Sequence, residues 1–176
     1  MEGIAYYCPH CWAEVSAEAR VCPACGAAIE DAQADIVDKY LAALRHPQAE
    51  TRLRAAWILG RMRETRAVPG LQEIAIARGQ GDPYLLSTAA ESLGLIGDNQ
   101  AVSVLAALLA DDDASFMARV QAAHALGRIG GDEAMAALTK AVMDSHDRVR
   151  NAALTALHRA KRAAQLEKME TGDDST

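Results

Sequence analysis

Ala122-Ala123-His124-Ala125-Leu126-Gly127-Arg128-Ile129-Gly130 reads as the last turns of a helix, and variants of it occur four times in the chain. AAWILGRM at 55–62, AAESLGLIG at 89–97 and AALTALHRA at 152–160 align with it, so that Gly60, Gly94, Gly127 and His158 share a column, 34, 33 and 31 residues apart. Recurrence at such a period marks an array of equivalent units, each one too small to bury its own apolar face. Small residues recur one helical face apart at Ala55, Ala89, Ala122 and Ala153, then at Ile58, Ser92, Ala125 and Ala156, with Leu59, Leu93, Leu126 and Leu157 beside them. Such columns let helices approach closely. Eight residues past each glycine a second stripe begins: Val68, Val102 and Met135, then Leu71, Leu105 and Leu138, then Ile74, Leu108 and Ala141. Each unit is therefore a helix, a turn and a helix.

The punctuation agrees with that division. Gly94 and Gly127 remove bulk at a helix crossing, whereas Gly97 and Gly130 are placed to supply left-handed C-caps. Pro83 and Pro69 stand where helices begin and no amide donor is missed, and His46-Pro47 and Asp82-Pro83 mark turns between units. A half-unit at Ile36, Val37, Tyr40, Leu41 and Leu44 is expected to cover the first repeat, and a shortened polar helix at 161–170 to close the other end. The segment 171–176 carries no apolar side chain and is expected to be disordered.

All four cysteines lie in the first twenty-five residues, as Cys8-Pro9-His10-Cys11 and Cys22-Pro23-Ala24-Cys25. Two C-x2-C turns bring four thiolates onto one cation, and a tetrahedron of sulfur suits Zn²⁺. Two disulfides are the competing arrangement. No charged segment followed by an apolar run and a cleavage site stands at Met1, so an oxidising compartment is not indicated, and the expectation is one Zn²⁺ per chain held by Cys8, Cys11, Cys22 and Cys25. Residues 6–28, YYCPHCWAEVSAEARVCPACGAA, resemble the short zinc ribbons found at the N-terminus of many prokaryotic multidomain proteins. That family commonly places a glycine after each pair; Gly26 keeps this and Trp12 departs from it. Trp12 is either a lid over the small module or an exposed contact residue. His10 is read as a solvent-facing residue or a donor to a ligand.

The repeats themselves resemble HEAT-like repeats, in particular the short subtype first named for the phycobilisome lyases, over about 34–170. That resemblance implies an all-α fold, a right-handed α-solenoid of about four helix-turn-helix repeats whose second helices line a concave binding surface. The expected organisation is a zinc ribbon at 1–30, a solenoid at 34–170 and a tail at 171–176. Twelve and sixteen residues past the register glycines come Gln72, Ala106 and Thr139, then Ile76, Ala110 and Met143, all uncharged and off the packing stripe. These columns are expected to receive a partner protein or peptide, with packing against adjacent repeats as the alternative for Ile76 and Met143.

With 18 Lys and Arg against 24 Asp and Glu, the net charge of −6 lacks the overall footprint of a duplex-nucleic-acid binder. Charge is segregated: 81–115 holds Asp82, Glu91, Asp98, Asp111, Asp112 and Asp113 without a Lys or Arg, while Arg45, Arg52, Arg54, Arg61, Arg63 and Arg66 crowd 45–66. Arg52, Arg119 and Arg150 share a column, and the resemblance implies a ladder with nearby acids, Glu50, Asp113, Asp144 and Asp147.

HEAT-like folds include bilin lyases, iron-dependent peptidyl hydroxylases and DNA glycosylases. The hydroxylases use repeated His-Glu dipeptides, but the five histidines here precede Cys, Pro, Ala, Asp and Arg. No phosphate loop, nucleophile elbow or His-Glu-x-x-His helix appears, and His124 lies on an alanine-rich face as a packing residue. The expectation is a cytoplasmic, monomeric, non-enzymatic adaptor without a membrane span, its ribbon serving as a second contact. A bilin lyase or isomerase, or a nucleic-acid-associated HEAT protein, is the alternative.

Overall fold

The computed structural model describes residues 6–8, 10–16, 18–29, 36–76 and 82–171. Residues 30–35, where the expected ribbon gives way to the solenoid, and the tail beyond Thr171 lie outside them. Among the described residues a two-residue antiparallel hairpin, β1 (Tyr6–Tyr7) with β2 (Glu14–Val15), comes first, and those from 36 on form helices joined by short turns: α1 (Ile36–Ala43), α2 (Ala49–Met62), α3 (Val68–Ile76), α4 (Pro83–Ile96), α5 (Val102–Leu109), α6 (Phe116–Ile129), α7 (Asp132–Ala141) and α8 (Asp147–Thr171). Helices α2, α4, α6 and α8 pack side by side as one layer, α3, α5 and α7 form the second, and α1 lies against α2.

The core sits between the layers, where the repeated columns meet. Leu59, Leu93 and Leu126 from the first helices and Leu71, Leu105 and Leu138 from the second are fully buried, each contributing about 1.5–3 kcal/mol by leaving water. Alanine rather than a larger residue fills the first-helix columns because neighbouring backbones are nearly in contact there. The Ser92 hydroxyl, buried at that crossing, donates to the Ala56 carbonyl at 2.9 Å, so its polar atom does not go unpaired.

Helix boundaries follow local chemistry. Asp82 accepts the Tyr84 amide at 2.8 Å with Pro83 beginning α4, and Ser115 accepts the Ala118 amide at the start of α6. Asp98 and Glu64 cap the short 3-10 turns that lead into α5 and α3. Gly97 ends α4 with φ 79 and ψ 18, a left-handed cap as expected. Gly130 differs: its φ of 75 comes with ψ −160, outside the left-handed helical basin, because Gly131 also takes positive φ and the pair turns the chain directly into α7.

Two expectations are corrected. Residues 161–170 are not a separate closing helix; they continue α8, which runs unbroken for 25 residues. Lys161 stands where α4 and α6 have their terminal Gly97 and Gly130, and no Gly or Pro interrupts the segment, so the last unit keeps only its first helix. The arginine column is also less regular than a ladder. Arg119 alone meets carboxylates, Asp144 and Asp112; Arg150 donates instead to the carbonyls of Asp144 and Ser145 at 2.8 and 2.9 Å, and the buried Arg52 Nε has no hydrogen-bond partner among the described residues.

Candidate functional site

The ribbon is built from two superposable turns. The Cys8 amide donates to the Ala13 carbonyl at 2.9 Å and the Trp12 amide to the Cys8 carbonyl at 2.9 Å; fourteen residues on, Cys22 to Ala27 (2.8 Å) and Gly26 to Cys22 (2.9 Å) repeat both bonds. Trp12 therefore occupies the place of Gly26. It adopts the same left-handed backbone, φ 57 against 70, at a cost of about 1–2 kcal/mol for a residue with a Cβ. The glycine rule is satisfied in conformation while being broken in sequence, so the first turn keeps its geometry.

Inside these turns Cys8 lies 3.7 Å from Cys25 and Cys11 3.6 Å from Cys22, sulfur to sulfur, and all four sulfurs fall within 4.8 Å of one another. Four sulfurs tetrahedrally placed at a Zn–S distance near 2.3 Å stand roughly 3.8 Å apart, so the cluster fits such an ion. Backbone amides are aimed at every sulfur: His10 and Cys11 at Cys8, Ala13 at Cys11, Ala24 and Cys25 at Cys22, Ala27 at Cys25. Donors of that kind stabilise thiolates. Burial raises the Cys22 thiol, but the Cys25 and Ala24 amides together with the Cys11 and Cys8 sulfurs outweigh it and hold it at about 7. The Ala13 amide favours the Cys11 thiolate, yet the sulfurs of Cys25, Cys22 and Cys8 together with burial push it up to about 12. Crowded thiols resist joint ionisation unless a cation supplies the missing charge. His10 is exposed and contributes its amide, 3.4 Å from Cys8 Sγ.

Trp12 is half-buried and meets the first repeat. Its ring meets the His46 imidazole edge to face, 4.7 Å between centroids, and Tyr7 approaches the same imidazole at 5.1 Å. His46 is buried in the turn between α1 and α2. Sequence reading marked His46 only as a turn residue; the signal available was a pair of aromatics, Tyr7 and Trp12, flanking the first cysteine pair.

On the second-helix layer, a cleft of about 510 Å³ opens between α5 and α7. Ala106, Ala110 and Met143, from the predicted columns, line it together with Ala136 and Ala137, and Met143 is 85% exposed. The predicted residues outside it are Gln72, whose Nε2 donates to the Gln100 carbonyl at 2.7 Å, Ile76, exposed at the end of α3, and Thr139, which is exposed with its hydroxyl donating to the Met135 carbonyl at 2.7 Å. The cleft is not uniformly uncharged. Asp112, Glu133 and Lys140 rim it, and Arg119 closes one end, its guanidinium donating to the Leu109 carbonyl (3.0 Å) and to Asp144. Arg119 thereby ties the end of α5 to the turn after α7 and fixes the cleft's width.

Repeated helix pairs stacked in two layers, preceded by a four-cysteine knuckle, define an α-solenoid with a metal-binding module. The profile of HEAT repeats matches residues 37–120, 74–158 and 113–172, and the chain belongs to the HEAT-repeat family; that of the zinc-ribbon domain matches 7–29. Among solved structures, human deoxyhypusine hydroxylase in complex with glycerol is 27% identical with a TM-score of 0.65, over 74% of this chain and 45% of that one. The chain thus spans less than half of the hydroxylase. The complex of CpcE and CpcF of phycocyanin lyase from Nostoc sp. shares the fold, at 21% identity and a TM-score of 0.50, over 77% of this chain and 69% of that one. No curated protein matches the sequence. Among the described residues no helix is long and apolar enough to cross a membrane.

Proposed function

We propose that this chain is a non-enzymatic binding scaffold that takes a partner protein or peptide along the face formed by α3, α5 and α7, with one Zn²⁺ organising the ribbon as a second contact. The observation that carries the reading is the cleft between α5 and α7, floored by Ala106, Ala110, Ala136 and Ala137 and overhung by the exposed Met143. Small floor residues leave room for side chains of an incoming helix or extended segment, and the flexible Met143 adapts to its shape. Gln72, Ile76 and Thr139 extend the same surface along α3 and α7. The proposed scaffold acts as a monomer.

An enzymatic reading draws support from the activities named for the two similar structures. No His-Glu pair occurs in the chain, and no cysteine lies outside the ribbon, so neither motif-borne iron chemistry nor a thiol nucleophile supports it. The test is capture of partners from the native host by the intact protein and by Ala106→Glu/Ala110→Glu. Loss of a specific partner with an unchanged helical melt is expected; a folded double variant that still captures the same partner would remove this face from consideration.

A further inference from the structure

His46 and His146 both stand at helix entrances, His46 two residues before the cap of α2 and His146 directly before α8. Each ring accepts, on Nδ1, the amide two residues on: Gln48 at 3.0 Å and Arg148 at 3.2 Å. Each ring also packs on an aromatic. His146 stacks at 4.7 Å on Phe116, which belongs to the preceding unit's first helix. His46 has no complete unit before it, and its aromatics come from the ribbon instead, Tyr7 and Trp12. The ribbon thus supplies aromatic cover at the entrance of α2, where no complete repeat precedes.

Both aromatics are held by the cysteine turns. Tyr7 directly precedes Cys8 and Trp12 directly follows Cys11, and the Trp12 amide is bonded to the Cys8 carbonyl within the knuckle. A module this small owes its folding to its metal, so its occupancy decides whether those two rings are in place. Gln48, the residue capping α2, makes no side-chain cap bond of its own, and the helix entry relies on His46.

We propose that the ribbon is a metal-dependent end cap of the repeat array: metal bound by the four cysteines stabilises α1 and α2 through Trp12 and Tyr7 packed on His46. Terminal repeats need a cover to remain ordered. The device links metal supply or thiol oxidation to the order of the solenoid's N-terminal end. It rests on the metal centre and is independent of which partner the cleft takes.

The test uses the full reduced chain in a Trp57→Phe background, where Trp12 is the single tryptophan reporter. Removing metal is expected to red-shift Trp12 emission and to speed amide exchange across 36–62 by about tenfold, leaving 116–141 unchanged. Trp12→Gly is the discriminating variant, because Gly26 shows that the knuckle accepts glycine there. It should still bind metal, while exchange in 36–62 matches the metal-free parent and ceases to respond to metal. His46→Ala, which leaves the four-cysteine cluster untouched, should show the same loss of response with metal content intact. Exchange in 36–62 that is indifferent to metal in the parent, or that responds equally in both variants, overturns the proposal. A parent chain that binds no metal overturns it together with the metal centre, and the metal content tells the two failures apart.

Discussion

A Cβ placed on Gly94 would stand 2.6 Å from the Cα of Ala125, closer than side chains come to a neighbouring backbone. The same relation links Gly60 to Ser92 and Gly127 to Ala156, so three helix crossings in the first layer each pair a glycine with a small residue of the next unit. The glycine column is a contact seam that sets the spacing of the helices in the first layer.

Gly94→Ala is therefore expected to destabilise the fold by about 1–3 kcal/mol, the cost of overpacking winning over the ~1 kcal/mol that alanine gains in a helix interior. Gly97→Ala is the control: nothing lies within 4 Å, but φ is 79, so it should lose about 1–2 kcal/mol through backbone strain alone. Urea midpoints separate the cases when Gly94→Ser is added. Larger substituents should worsen position 94 progressively and leave position 97 nearly constant.

Arg119 and Asp144 are both nearly shielded from solvent, with side chains 6% and 8% exposed. Arg119→Met should cost about 3–5 kcal/mol by leaving the Asp144 carboxylate buried without its counter-charge. Arg119→Met/Asp144→Asn should lose distinctly less, because the stranded charge goes while the Asn side-chain oxygen still accepts the His146 amide, as Asp144 does at 2.9 Å. Equal losses in single and double variants, measured by chemical denaturation, would show that the pair is not the source of the stability.

The repeat register, the core leucines and the glycine crossings were legible because one stacking contact is imposed on every unit, and four copies of Leu59-Gly60 or its equivalent expose that constraint. Cysteine spacing was legible for a similar reason: a tetrahedral ion accepts few arrangements of ligands. What escaped were contacts made once. Trp12 on His46 joins residues 34 positions apart with no repeat to advertise it, and α8 runs on because Lys161 stands where Gly97 and Gly130 stop α4 and α6, an absence that weighs less to the eye than a motif. The arginine column misled because side chains in register at their Cα atoms chose different acceptors, a carboxylate for Arg119 and turn carbonyls for Arg150.

His124 lies half-buried on α6, and burial first, then Arg128 on its own helix and Arg159 on α8, push its pKa below the ordinary 6.5. The folded state then binds the proton less readily than the unfolded chain. Its contribution is fully present above about 6.5 and declines as the pH falls from there towards the lower folded value. His124→Gln should flatten that part of the stability profile between pH 7 and 5, read from melts at fixed ionic strength; a variant as steep as the parent assigns the slope elsewhere.

The four-cysteine cluster makes the most direct prediction. Freshly purified, reduced protein should carry one Zn²⁺ per chain, and cobalt(II) loaded in its place should show the intense visible bands of a tetrahedral thiolate site. Cys22→Ser removes a buried ligand and Cys25→Ser an exposed one, yet both should weaken metal binding strongly, because a tetrahedron that loses a corner loses charge as well as a bond. Neither should abolish the helical signal of 82–157, whose core of Leu93, Leu105, Leu126 and Leu138 lies in repeats remote from the ribbon. Their effect should instead concentrate at α1 and α2, where Tyr7 and Trp12 meet His46. A tetrahedral cobalt spectrum that survives both substitutions at full stoichiometry would mean that these sulfurs are not the ligands.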